Sequence, residues 1–351
     1  MLRKTLLTLA GTGCLMAAGW CQAGINEWTH TGPEGGIAKA IAFHPTEPDT
    51  VLVSTGAGIF RSTDNGLHWE RTLRNTEFDV TDIRFDPTSA SRVVAFNQAV
   101  GFSENGGQTF SGFYLPNNEP LSSMAVSPNG TVYVVAFSGA MFRTTSFGPT
   151  WAQITVPWGG GNPFHRITAD PGNANVLYVC RPGTGLYKTI DAGVTWTLLP
   201  GSPGSRNEVD VAWQLAVKPG DSNVLVAATP DGFMRSGDGG ATWATQMPGT
   251  YPASVAFDPA TPANVIAISF AGDILRSTDS GATWPVNLQR PRLRANNSTQ
   301  IVVHPSVVGR LFVGSSDGPL FSADGGATLE TRANGIYAAR IRNFSAAFNG
   351  D

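Results

Sequence analysis

Apolar and polar positions alternate along this chain in short runs, each closed by Pro, Asp, Gly or Asn. The segment AIAFHPTEPDTVLVST from Ala40 shows the unit: an alternating run, a Pro turn, then a second and more continuous apolar run. LAVKPGDSNVLVAAT from Leu215 and VAFDPATPANVIAIS from Val255 repeat it, and a third run such as GIFRS follows a short turn. Period-two alternation, β-branched residues and turn-forming punctuation predict strands joined by hairpins.

Each third run leads into one motif, Ser/Thr-x-Asp-x-Gly-x-Thr-Trp. It reads STDNGLHW, SENGGQTF, TTSFGPTW, TIDAGVTW, SGDGGATW, STDSGATW and SADGGATL, with final residues at 69, 110, 151, 196, 243, 284 and 329. The steps between copies are therefore 41, 41, 45, 47, 41 and 45 residues. That period is one four-stranded propeller blade, which predicts an all-β, seven-bladed β-propeller of four-stranded blades.

The motif makes sense as the turn between the third and fourth strands. Its Asp can accept backbone N–H bonds, its Gly can take a positive φ, and its Trp can fold back onto an apolar layer. Asp64, Asn105, Asp191, Asp238, Asp279 and Asp324 are accordingly expected to be structural. Asn105 and Ser146 replace the Asp in two copies and can still cap a turn, whereas neither can serve as a carboxylate.

These Asp-box repeats resemble the BNR-repeat propellers: sialidases, the xyloglucanase family of glycoside hydrolases, sortilin-type receptors, and photosystem II assembly and stability factors. The resemblance covers nearly all of the chain after its first residues. It implies the fold, and says less of function, because these families share a scaffold and differ in their sites.

Trp28 lies 17 residues before Pro45, much as Trp69 lies 18 before Pro87. The N-terminal strand is thus expected to be a detached fourth strand of the last blade, closing the ring and removing an open sheet edge. The tail 335–351 resembles the start of another, unfinished unit.

Composition supports this picture and adds a compartment. Charged residues make up 14% of the chain, against about 25% in ordinary domains, while Gly numbers 41 and Pro 24. A formal charge of −3 gives no global reason to expect nucleic acid or an anionic membrane. Arg3 and Lys4, the apolar stretch 6–19 and Cys21-Gln22-Ala23 form the layout of a secretory signal, with cleavage expected after Ala23. The apolar stretch is too short for a membrane anchor. The expected organisation is a signal peptide at 1–23, a single propeller at 24–351, and a periplasmic or secreted protein with no transmembrane segment after cleavage. Only Cys180 remains in the mature chain, so no internal disulfide can form, and its apolar neighbours predict a buried, inert thiol.

Candidate binding residues lie on three enlarged inter-blade loops, on the face opposite the Asp-boxes. By resemblance to the sialidases and xyloglucanases, that is the functional face. The first loop offers Trp158, Phe164, His165 and Arg166; the second Arg206, Glu208, Asp210 and Trp213; the third Arg290, Arg292 and Arg294. Aromatics beside hydrogen-bonding charges suit a sugar or an extended peptide. Trp158 and Trp213 can equally cover blade junctions. Hairpin turns on the same face add Arg181, Asp231, Asp273 and Asp317. Two carboxylates about 5 to 9 Å apart can run glycoside hydrolysis, so these three Asp are the acid/base candidates, although such sequences are also ordinary hairpin turns.

The block GGIAKAIAFHPTEPDTVLVSTGAGIFRSTD is similar to the opening of xyloglucanases. In that family the turn after the second strand carries a catalytic Asp, and Gly56 stands at the matching position here. Those enzymes also use two propellers with the cleft between them. A sialidase would need an Arg-Ile-Pro motif, three carboxylate-binding Arg and a Tyr/Glu nucleophile pair, none recognisable in this chain. No metal-site spacing or nucleophile elbow occurs, and His44 and His304, each preceding Pro, read as structural. The expectation is a noncatalytic propeller binding a glycan, peptide or assembly partner, without cofactor or metal, with a divergent glycosidase as the alternative.

Overall fold

In the computed structural model, residues 36–74, 80–97, 99–114, 116–148, 150–159, 166–181, 183–200, 202, 214–229, 232–288 and 300–336 are described. All of them fall in one compact unit, Pro33–Asp351. The chain forms seven four-stranded antiparallel sheets, each from four consecutive strands in simple meander order, arranged as a β-propeller. The first blade is representative, with strands Ala40–Phe43, Val51–Thr55, Gly58–Ser62 and Glu70–Arg74.

First strands of successive blades pack on one another around the axis. Second strands are sandwiched between neighbouring blades, which is why VLVST, VYVVA, LVAAT, VIAIS and LFVGS are buried along their whole length. The outermost strands Thr197–Leu198 and Glu330–Thr331 are exposed and short. Short outer strands limit the unpaired edge offered to other chains.

The inner edge is closed by side chains from the preceding blade. Gln300 Oε1 accepts from the backbone N of Ile41, Ser123 Oγ from Ile167, Gln214 Oε1 from Val255 and Ser254 Oγ from Ile301, at 3.0–3.3 Å. Ser54 Oγ donates to the Val80 carbonyl at 2.8 Å. Each bond satisfies a main-chain group that a single sheet would leave unpaired.

The repeated Ser/Thr-x-Asp turns behave as local chemistry demands. In the turn of blade 6, Ser277 Oγ donates to Asp279 Oδ1 at 2.7 Å and accepts the Gly281 N–H at 2.9 Å. Asp279 Oδ1 also accepts the Thr283 N–H at 2.8 Å, and Oδ2 the Thr283 hydroxyl at 2.6 Å. The same set recurs at Asp191, Asp238 and Asp324. At Asp64 the hydroxyl is replaced by the His68 ring, whose Nδ1 lies 2.7 Å from Oδ2. Asn105 keeps the acceptor role through Oδ1 while its Nδ2 donates to Thr109 Oγ1. Bonds from Thr189 at Asp191, Thr242 at Asp238 and Thr283 at Asp279 hold these three carboxyls at about 2.

These turns also join blades. The fourth residue of each adopts a left-handed conformation, and in three of them its carbonyl accepts a cationic side chain from the third strand of the preceding blade. Arg143 Nη1 reaches Ala192, Lys188 Nζ reaches Gly239 and Arg235 Nε reaches Ser280, at 3.0–3.2 Å. The Trp at the end of the turn packs backward in the same direction, as Trp151 does on Phe102 and Trp284 on Phe233.

Ring closure differs from expectation. The fourth place of blade 7 is filled by its own strand, Glu330–Thr331, and not by the N-terminal segment; Trp28 lies outside the described residues. Blades 7 and 1 are joined by side chains and by the stretch after that strand. Trp69 donates its backbone N to Asn334 at 3.1 Å and its indole Nε1 to the Arg332 carbonyl at 2.9 Å. Gly335 (φ 91°) passes so close that a Cβ would sit 2.5 Å from the Trp69 carbonyl oxygen. Ile336 beyond it is fully buried; the rest of the tail lies outside the described residues.

Candidate functional site

The meander puts the turns between second and third strands, the inter-blade connections and the first residue of every inner strand on one face. The Ser/Thr-x-Asp turns and the Pro turns occupy the other. Of the sequence-derived candidates on the first face, His165, Arg206, Glu208, Asp210, Trp213, Asp231, Arg290, Arg292 and Arg294 lie outside the described residues, as does Phe164.

Trp158 covers a blade junction, the second of its two expected roles, and is not an exposed stacking ring. It is only 6% exposed, lies 4.8 Å from Tyr187 and 5.2 Å from Trp196 by ring centroids, and donates Nε1 to the Gly139 carbonyl at 3.0 Å. The cause is the junction of blades 3 and 4, where the indole fills the gap and satisfies its donor. Arg181 continues the same buttress, since its Nη2 donates to the Gly159 carbonyl at 2.8 Å. Nearby, Glu119 accepts from the Ser138 hydroxyl, after a turn through Asn117 and Asn118 with φ of 52° and 56°. Asparagine tolerates this conformation better than most residues.

Two of the acid candidates are described, and each sits in a hairpin that a Ser hydroxyl ties down, the carboxylate itself taking part at Asp273. Asp273 donates its backbone N to Ser269 Oγ at 3.1 Å and accepts from that hydroxyl through Oδ2 at 3.3 Å. Asp317 donates its backbone N to Ser315 Oγ at 3.2 Å. Gly56 has open space around it: a Cβ built there meets nothing within 4 Å.

Arg166 opens the inner strand Arg166–Ala169 of blade 4. It is exposed and lines the mouth of a gap between two blades. Desolvation by the protein around it lowers its pKa, against the opposing pull of Asp82 and the Cys180 thiol. Arginine remains charged regardless. Asp82 is itself paired with Arg84, Oδ1 to Nε at 3.1 Å. Beside Arg166, a gap between blades 4 and 5 is lined by Thr168, Tyr178, Cys180, Leu215 and Trp243 among others. Cys180 is buried and burial pushes its thiol up to about 12, so it is an inert wall, as its sequence context implied.

The sequence reading overlooked Asp82 and Gln214. Both occupy the register position of Arg166 in their own blades, so the alternation that located the strands was sufficient to find them. Among the described residues there is no cluster of three His, Cys, Asp or Glu able to hold a metal, and no helix long and apolar enough to cross a membrane.

No protein-family model matches the chain. Xyloglucanase Xgh74A of Acetivibrio thermocellus is 27% identical over 246 residues, covering 60% of this chain and 26% of that protein. Photosystem II assembly lipoprotein Ycf48 of Prochlorococcus marinus is 24% identical over 159 residues, covering 44% and 46%. Among solved structures, the GH74 xyloglucanase from Xanthomonas campestris superposes with a TM-score of 0.65 at 18% identity, covering 86% of this chain and 54% of that one. Ycf48 from Cyanidioschyzon merolae gives 0.60 at 18%, covering 84% and 98%. The chain thus spans about a quarter of the curated xyloglucanases it matches. It is a seven-bladed β-propeller similar both to GH74 xyloglucanases and to Ycf48 proteins.

Proposed function

We propose that this chain is an exported, noncatalytic propeller that captures a glycan, a peptide or an assembly partner on the face carrying the inter-blade connections. The observation that carries this reading is the bond from the Ser269 hydroxyl to the Asp273 carboxylate within its own hairpin, with Gly56 where the resembling enzyme family keeps a carboxylate. Hydrolysis by two carboxylates requires a free pair at a suitable separation. Binding requires only a rigid scaffold presenting polar groups, which the buttressed turns around Gly139 and Arg181 supply. Export rests on the signal-like residues 1–23.

Similarity to xyloglucanases over 60% of the chain favours a second reading, a divergent glycosidase using Asp231, Asp273 or Asp317. Incubating purified protein with xyloglucan, β-glucan and sialoside substrates separates the two. The binding reading expects capture without product. Turnover that disappears in Asp231→Asn or Asp317→Asn overturns it.

A further inference from the structure

At the register position of Arg166, near the start of the inner strand, four other blades hold the next one: Ser123, Gln214, Ser254 and Gln300 each accept a backbone N–H there. Arg166 stands at that position in blade 4 and has no acceptor to offer. Among the described residues its guanidinium makes no hydrogen bond or ion pair, and Arg166 lines a gap between two blades. The blade that should be held there is loosely seated: Leu215 is half-buried, whereas Ile41, Ile83, Met124, Ile167, Val255 and Ile301 at the same register are buried.

The result is the gap between blades 4 and 5. Its inner part has room for about one water-sized or methyl-sized group. Leu186, Leu215, Ala227 and Trp243 form apolar walls. The Tyr178 hydroxyl is buried with no partner, on a side chain that is fully buried and lines the same gap. A second donor also lines it. Gln214 Oε1 accepts from Val255, which fixes the amide and leaves Nε2 free to donate.

We propose that Arg166 and Gln214 form a carboxylate-binding site, with the gap beside them accepting a methyl-sized group attached to that carboxylate. A guanidinium that has no acceptor among the described residues, at the edge of a gap, is matched by a planar anion that takes two of its N–H groups. The apolar walls then select a small alkyl substituent over a second charge. This inference rests on the binding reading above and names the chemistry its ligand presents. The carboxylate belongs either to a free short-chain acid or to the C-terminus of a peptide ending in alanine.

Titration calorimetry with propionate, N-acetylalanine and N-acetylalanine amide tests it on the purified full chain. The two acids are expected to bind wild-type protein, and the neutral amide at least about tenfold more weakly. Equal binding of both acids identifies the free-acid source, and tighter binding of N-acetylalanine identifies a peptide end. Arg166→Gln is expected to weaken both acids about tenfold or more, and Arg166→Lys to weaken them by less, since it keeps the charge and loses the planar fork. Leu215→Phe, which fills the gap, should abolish binding with Arg166 intact, and thermal melting checks that each variant is folded. Equal affinity for acid and amide, unchanged binding in Arg166→Gln, or no acid binding by folded wild-type protein overturns the site. Capture of a larger glycan or protein by wild-type chain alongside any of those results leaves the general binding reading standing and removes only this site.

Discussion

Arg332 donates Nη1 to the main-chain carbonyl of Asn65 at 2.6 Å, joining the last blade to the first. The acceptor is the same turn position that takes Arg143, Lys188 and Arg235 elsewhere in the ring, but the donor comes from a different strand. Phe321 occupies the place where those cations stand, and Arg332 lies over its ring at 3.6 Å while also pairing with Glu330. The seam therefore reproduces the inter-blade bond of the repeat with a substitute. Arg332→Ala should lower unfolding free energy by about 2 kcal/mol, since it strands a charged-group hydrogen bond and a cation–π contact at once. Urea denaturation measures this, and a midpoint equal to wild type would show that the seam is held without it.

His44 and His304 do the work of aspartate. In blades 4 and 6, Asp170 and Asp258 Oδ1 each accept two backbone N–H groups after the first strand. His44 Nδ1 accepts from Thr46 and Glu47, and His304 Nδ1 from Ser306 and Val307, in the same turn. His304 Nε2 also contacts the Pro48 carbonyl at 3.1 Å across the seam, so Nε2 carries the proton. Hence His44→Asp should be nearly neutral, and His304→Asp should cost about 1 kcal/mol for the lost cross-seam bond. Equal losses in the two variants would contradict the assignment.

A pH dependence follows from the same residues. Burial is the main cause lowering the pKa of both histidines in the fold, so the unfolded chain takes up protons first as the pH falls through about 6.5. Their contribution is fully present above that value and is lost as pH falls through the folded pKa. Asp191, Asp238 and Asp279 act in a lower window: with folded values of about 2 against 3.8, their contribution is present above 3.8 and lost as pH falls through about 2. Thermal melts between pH 8 and 2 should show two separate declines. The upper one should shrink in the double variant His44→Asn with His304→Asn, and its persistence there would assign it elsewhere.

The turn chemistry makes its own claim on stability. Asp279→Ala removes acceptors for one backbone N–H and two hydroxyls at an exposed site, an expected loss of about 1 kcal/mol. Asn105→Asp should stay within about 0.5 kcal/mol, because Thr109 need only reverse its hydroxyl from acceptor to donor. Loss of ligand capture with unchanged melting in Asp279→Ala would make these carboxylates functional after all.

Blade number and turn chemistry were legible because the motif recurs seven times and four copies, at Asp191, Asp238, Asp279 and Asp324, carry the same side-chain bonds. Closure of the ring was not. An open edge argues for a covering strand, but the fold answers it with Trp69, Arg332 and Asn334, long-range partners that leave no local signature. Trp158 was open between two readings for a related reason: a loop position does not say in sequence whether its ring is exposed or covers a junction, and the packing of blades 3 and 4 turns the indole inward. At Arg166 the residue type was legible, and its lack of a partner was not, because that depends on what four other blades place at the same register.

Gly56 offers the sharpest test of whether an enzyme has merely lost one group. Its Cβ position is open, and its φ lies outside the left-handed range that would strain a side chain, so Gly56→Asp should melt within about 0.5 kcal/mol of wild type. A carboxylate there would stand alone in its hairpin, since the described candidates Asp273 and Asp317 lie in the hairpins of other blades, with Asp273 bonded to Ser269. General acid catalysis and nucleophile activation each contribute large factors, and one carboxylate alone recovers little of their product. Gly56→Asp is therefore expected to release no reducing ends from xyloglucan above the wild-type background. Measurable hydrolysis in this variant, lost again on adding Asp317→Asn, would show that the catalytic partner is present and that this propeller is one substitution away from a working glycosidase.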